Sequence, residues 1–220
     1  MPTTPTSYHA DLSAIGASAI EEMTSRSRAR EEALTISRQV IRFSANAIRA
    51  VHRGEFEEAQ NLVHQAGERL EETRAMRHES PQIYYAGFLA DARKEYTEAS
   101  ITLAVISAKA IPKPEDLDVD PSSFLNGLAE VIGELRRYIL DALRREEVGR
   151  CQELMDLMDE IYGVLVTVDF PEAVTGGLRR NTDAMRGVLE RTRGDLTMAL
   201  RQHRLEARLA QWEEGRAGGR

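Results

Sequence analysis

Two pairs of glutamates are the chain's best candidates for chemistry. Glu95 and Glu98 lie three apart in DARKEYTEAS, and Glu130 and Glu134 lie four apart in GLAEVIGEL. On a helix either spacing puts both carboxylates on one face, a turn apart. The face of Glu95 and Glu98 is otherwise apolar, with Phe88, Ala92, Ala99, Val105 and Ile106. Acids on such a stripe are costly unless their charge is offset. If the two pairs face each other, their oxygen donors suit Mg²⁺ or Mn²⁺ better than zinc. Such an ion lowers the pKa of water and orients it against a phosphodiester, which is nuclease chemistry. The same spacing also occurs on solvated helix faces, and Glu134 could simply pair with Arg137 or Tyr138.

Other chemistries find little support. The five histidines are scattered and none completes a Glu-x-x-His pair, so a di-iron bundle is not expected. Cys151 is the only cysteine, which excludes an internal disulfide and a cysteine metal cluster. Walker, G-x-G-x-x-G, G-x-S-x-G and HExxH motifs are absent. The net charge of −7 argues against a simple basic nucleic-acid binder. Yet 26 of the 29 basic residues are arginines, which suit bidentate phosphate contacts. A GC-rich genome would produce the same bias. Between residues 24 and 53 the local net charge is +5.

Long helices must position these groups. The 220 residues are 42% hydrophobic and 30% charged, with Ala, Leu, Glu and Arg abundant, which predicts an all-α globular chain. Residues 1–10 are expected to be a disordered tail, 11–212 one helical domain, and 213–220 a frayed end. Apolar spacing predicts helices over 11–52, 55–77, 81–111, 121–147, 149–166 and 171–211, the last bent at Gly176–Gly177. Gly54 reads as a C-terminal cap. Ser80 with Pro81 and Asp120 with Pro121 read as helix starts. The expected architecture is an antiparallel bundle of six or seven helices. Because the third and fourth helices are joined by a modest loop, they are expected to pack antiparallel. Gly127 and Gly133, inside the fourth helix, suggest that something approaches its surface closely. No apolar run is long enough to span a membrane, and the N-terminus lacks a secretory pattern, so a cytoplasmic location is expected.

Four blocks, LTISRQVIRFSANAIRAVHRGEFEEA, YYAGFLADARKEYTEA, FLNGLAEVIGELRRYILDAL and LVTVDFPEAVTGGLRRNTDAMRGVLERTRGDLT, together resemble the translin family. Their order and spacing match over roughly residues 25–205. The resemblance implies an all-helical fold that builds hollow assemblies, here a homo-oligomer of six or eight copies. It also implies that the chain binds single-stranded RNA, or DNA. In eukaryotes translin joins translin-associated factor X to form an endoribonuclease, and only the latter is catalytic, through an acidic Mg²⁺ cluster. Glu95 and Glu98 match its QE-x-x-E-A glutamates, and Glu134 matches an acid in its GEL block. Glu130 stands where the catalytic factor carries aspartate, one methylene shorter. The resemblance thus implies a catalytic and metal-binding set of Glu95, Glu98, Glu130 and Glu134. Arg38, Arg42, Arg179 and Arg180 are the candidates for holding phosphate. Tyr84, Tyr85 or Phe88 could stack a base. Two functions stay open: a Mg²⁺- or Mn²⁺-dependent endoribonuclease, and a non-catalytic nucleic-acid-binding oligomer like translin itself.

Overall fold

The computed structural model describes residues 8–217. Among them are six long helices: α1 (His9–Arg53), α2 (Phe56–Glu71), α5 (Gly87–Ile106), α7 (Pro121–Arg144), α8 (Cys151–Leu165) and α10 (Leu178–Ala217). Four single turns complete the described elements: α3 (Met76–Glu79), α4 (Pro81–Tyr84), α6 (Pro114–Leu117) and α9 (Glu172–Thr175). The chain is all-α, as expected. The tails expected at 1–10 and 213–220 lie outside the described residues over 1–7 and 218–220, and the helices reach in to His9 and out to Ala217.

Local chemistry explains the element boundaries. Gly54 ends α1 with φ 77°, and its N–H turns back to the carbonyls of Ala50 and Val51. Asp120 caps α7, accepting the Ser123 N–H at 2.9 Å, with Pro121 at the first helical position. Ser80, expected to cap in the same way, makes no side-chain cap hydrogen bond. The expected 81–111 helix divides, because Ala86 takes an extended backbone between α4 and α5. This break leaves the Tyr84 carbonyl for Arg93 Nη2, at 3.1 Å. The expected 55–77 helix stops at Glu71, where the Thr73 hydroxyl donates to the Leu70 carbonyl.

Helix direction differs from the loop-length expectation. α2 folds back on α1 through the tight Gly54 turn, and α8 follows α7 after a short connection. α5 and α7 instead run the same way. The start of α7 is tied near the start of α5 by Arg93 Nε donating to Asp120 Oδ2 at 3.1 Å. Beyond the end of α7, Arg150 donates to the carbonyls of Ile106 and Val105, at the end of α5. The connection 107–120 therefore runs back along the bundle, and Arg74 pins it through Asp118 at 2.8 Å. Fourteen extended residues span up to about 46 Å, ample for a 20-residue helix of about 30 Å.

α1 follows the direction of α5, since Ser37 donates to the Phe88 carbonyl and Ile48 packs with Ala99. α10 follows α7, through Asn181–Asn126 and Arg136–Thr192 hydrogen bonds. The main core gathers Ile101, Ile132, Leu135, Ile139, Leu154 and Met158. α1 is buried only from Ala33 onward, and the later part of α10 is exposed. Leu12, Ile15, Ile20 and Met23, and then Met198, Leu205 and Leu209, are exposed on those projecting parts.

Candidate active site

The α5–α7 contact is close because of one glycine. A Cβ on Gly127 would lie 2.6 Å from the Lys94 carbonyl oxygen and 2.8 Å from Thr97 Cβ. The close approach read from the sequence is thus that of the α5 backbone. Gly133 differs: nothing lies within 4 Å of a Cβ built there. One turn after Gly127, the contact brings Glu130 beside the α5 carboxylates. Oxygens of Glu95, Glu98 and Glu130 all lie within 4.8 Å of one another.

The three carboxyls differ in burial. Glu98 is 8% exposed, whereas Glu95 and Glu130 are partly open. Burial, and then the charges of Glu130, Glu95 and Glu134, push the Glu98 carboxyl up to about 9. Glu95 is raised too, by burial first and by Glu130, against the attraction of Lys94. The metal-free site therefore favours the protonated form of Glu98.

A cation from the chain itself enters the cluster. Lys94 Nζ donates to Glu130 Oε1 at 2.7 Å and lies 3.5 Å from Glu95 Oε1. Burial alone would lower the Lys94 pKa. The hydrogen bond to Glu130 and the charges of Glu130, Glu95 and Asp91 outweigh it and hold the ammonium above its ordinary value. Glu134 stands apart from the three-carboxylate group. Its Oε2 accepts from His52 Nε2 at 2.5 Å and lies 3.7 Å from Arg137 Nη1. The side chain of His52 is buried, and its Nδ1 has no partner. His52 thus fixes the orientation of Glu134 from α1.

Lys94 and His52 are the site residues that sequence reasoning missed. Lys94 and Glu98 are i, i+4 neighbours, a signal available in the sequence. His52 reaches Glu134 across 82 positions, a pairing that no local spacing shows.

The structure leaves the candidate phosphate-binding arginines on the surface. Arg38 and Arg42 are exposed and one turn apart on α1, with the Arg42 guanidinium 5.5 Å from the Phe43 ring centroid. Arg179 and Arg180 are exposed in the first turn of α10 and line a recess with Phe170 and Asp183. No ion pair joins either arginine pair to the carboxylates among the described residues. Of the candidate stacking rings, Tyr84 packs under Arg93 at 4.6 Å and Phe88 is half-buried, whereas Tyr85 is exposed.

Three hard oxygen donors from two helices, two of them partly open to solvent, fit a Mg²⁺- or Mn²⁺-type ion. Comparison with known proteins identifies relatives of the chain. No family model matches the chain. It is 28% identical to an uncharacterised protein of Methanocaldococcus jannaschii over 198 residues, 89% of this chain and 87% of that one. Among solved structures it is similar to C3PO of Archaeoglobus in complex with duplex RNA. That match has a TM-score of 0.78 and 35% identity over 83% of this chain and 95% of the other. A crystal structure of the same Archaeoglobus protein gives 0.77 and 34%, with the same coverage. The apo form of another C3PO, NeC3PO, gives 0.75 at 18% identity over 90% of this chain and all of that one, a likeness of fold.

Proposed function

The chain belongs to the translin family, which includes the C3PO proteins, and from that membership we propose that it is a metal-dependent endoribonuclease working as a homo-oligomer in the cytoplasm. The observation that carries the proposal is the meeting of Glu95, Glu98 and Glu130 within 4.8 Å across two helices. RNA as the substrate is supported by the Archaeoglobus relative, whose structure holds duplex RNA. Single-stranded RNA remains the form expected here from the resemblance. The exposed apolar residues on the projecting parts of α1 and α10 support an assembly of several copies.

Glu95, Glu98 and Glu130 would hold the ion, with Glu134 beside them. When bound, a Mg²⁺ or Mn²⁺ ion supplies a water of lowered pKa and offsets charge developing on the phosphate. On becoming a ligand, Glu98 would release its proton to solvent. His52 holds the Glu134 carboxylate from α1, at 2.5 Å. Exposed Arg38, Arg42, Arg179 and Arg180 hold the nucleic-acid backbone by charge, so binding weakens as salt rises.

One observation favours the second reading, a non-catalytic RNA- or DNA-binding oligomer: the Lys94 ammonium already satisfies part of the carboxylate charge. Labelled single-stranded and duplex RNAs, incubated with the purified protein in Mg²⁺, Mn²⁺ or EDTA, separate the two. The nuclease reading expects fragments with either metal and none with EDTA. Salt-sensitive RNA binding without fragments would leave the non-catalytic reading.

A further inference from the structure

We propose that Lys94 is the resident counter-ion of the carboxylate cluster, and that a divalent cation enters by displacing its ammonium from Glu130 and Glu95. The inference rests on the metal-site reading above and adds an occupant to it.

Two of the three candidate ligands are already engaged, Glu130 at 2.7 Å and Glu95 at 3.5 Å from one ammonium. A divalent ion bound to the same carboxylates would share their oxygens with a like charge at contact distance, an arrangement in which repulsion is strongest. One cation must therefore leave, and Lys94 is built to do so. Its backbone is fixed, because its carbonyl oxygen lies against Gly127 in the tightest part of the α5–α7 contact. Its side chain is a flexible four-carbon stem, and at 22% exposure it has a way out to solvent. Arg137 and His52 are engaged at Glu134, outside the three-carboxylate group.

The exchange has two consequences. The cluster stays partly compensated without metal, through the one ammonium on Glu130 and Glu95. Metal affinity is set by the difference between two cations, and is weaker than three free carboxylates would give.

The chain offers an internal control, since its only other lysines, Lys109 and Lys113, are exposed. The test is acetylation of the native protein by a limiting amine-reactive ester at fixed pH and ionic strength, with each lysine quantified by mass spectrometry. Without metal, Lys94 should react several-fold more slowly than Lys109 and Lys113. At Mn²⁺ saturation, defined by calorimetry on the same sample, Lys94 alone should speed up several-fold. An unchanged Lys94 rate at saturation would overturn the inference and leave the metal site standing. Absence of any Mn²⁺ heat would overturn both, and the calorimetric trace tells the two failures apart. As a second arm, Lys94→Met should bind Mn²⁺ about tenfold or more tightly than wild type, while Lys94→Arg keeps the weaker affinity. Equal affinity in a folded Lys94→Met protein would also overturn the inference.

Discussion

Replacing Glu98 by glutamine should stabilise the metal-free protein, and by an amount that grows with pH. Glu98 is buried between like charges, and its carboxyl is pushed up to about 9 from 4.5. The sign follows from proton counting. Between those values the unfolded chain has lost the proton and the folded chain keeps it. The stabilising contribution is complete below pH 4.5 and is lost as pH rises toward about 9. Over the roughly 3.5 units from the ordinary value to pH 8, linkage at about 1.4 kcal/mol per unit sets a ceiling of about 5 kcal/mol. Glu95 and Glu130 open the cluster to water, and relaxation reduces that ceiling to about 2 kcal/mol. For a chain of this length that is about 5 °C in Tm. Glutamine keeps the shape and carries no charge, so its advantage should be about 5 °C at pH 8 and close to zero at pH 5. Glu95, raised in the same direction, leaves a shallower residual slope in the variant. Saturating Mn²⁺ should reverse the order, because only the wild type gains the full binding energy. The assay is thermal unfolding from pH 5 to 8.5, with and without Mn²⁺. Parallel curves for the two proteins across that range would refute the burial of the Glu98 carboxyl beside like charges.

Arg93→Met should cost about 2–3 kcal/mol, or 5–10 °C in Tm, because it removes a buried guanidinium from half-buried Asp120 and the Tyr84 carbonyl; an unchanged melting curve would show that this anchor does not set the start of α7. Gly127→Ala should destabilise by about 2 kcal/mol and weaken metal binding, since its Cβ meets backbone at 2.6 Å. Gly133→Ala should stabilise by about 0.5–1 kcal/mol, because its Cβ meets nothing; denaturant titration of the pair checks both signs. Arg38→Ala/Arg42→Ala and Arg179→Ala/Arg180→Ala should each weaken RNA binding and reduce the salt slope by about 2, leaving Tm unchanged. Filter binding at several salt concentrations measures this, and an unaltered slope removes that pair from the phosphate path.

The helices were legible because their apolar residues recur on one face. Ile36, Val40, Ala47 and Val51 line the inner face of α1, and all four are buried. The acidic pairs were legible for the same reason, since i, i+3 and i, i+4 spacing fixes which side chains share a face. What lay beyond local spacing was harder to read. The loop 107–120 contains no signal for whether it turns back at once or runs the length of α5, and the Arg74–Asp118 and Arg93–Asp120 ties decide it from positions 44 and 27 residues away. Gly127 and Gly133 look alike in the sequence, yet only one meets a neighbour. Lys94 read as one charge among many until the direction of α7 placed Glu130 against it.

The most direct test compares wild type with Glu98→Ala for cleavage of one labelled single-stranded RNA in Mn²⁺. Both proteins are purified identically, and RNA retention and assembly size are measured on the same samples. The account predicts fragments from the wild type, and none from a variant that still binds RNA and keeps its assembly. Equal cutting by the variant would contradict it.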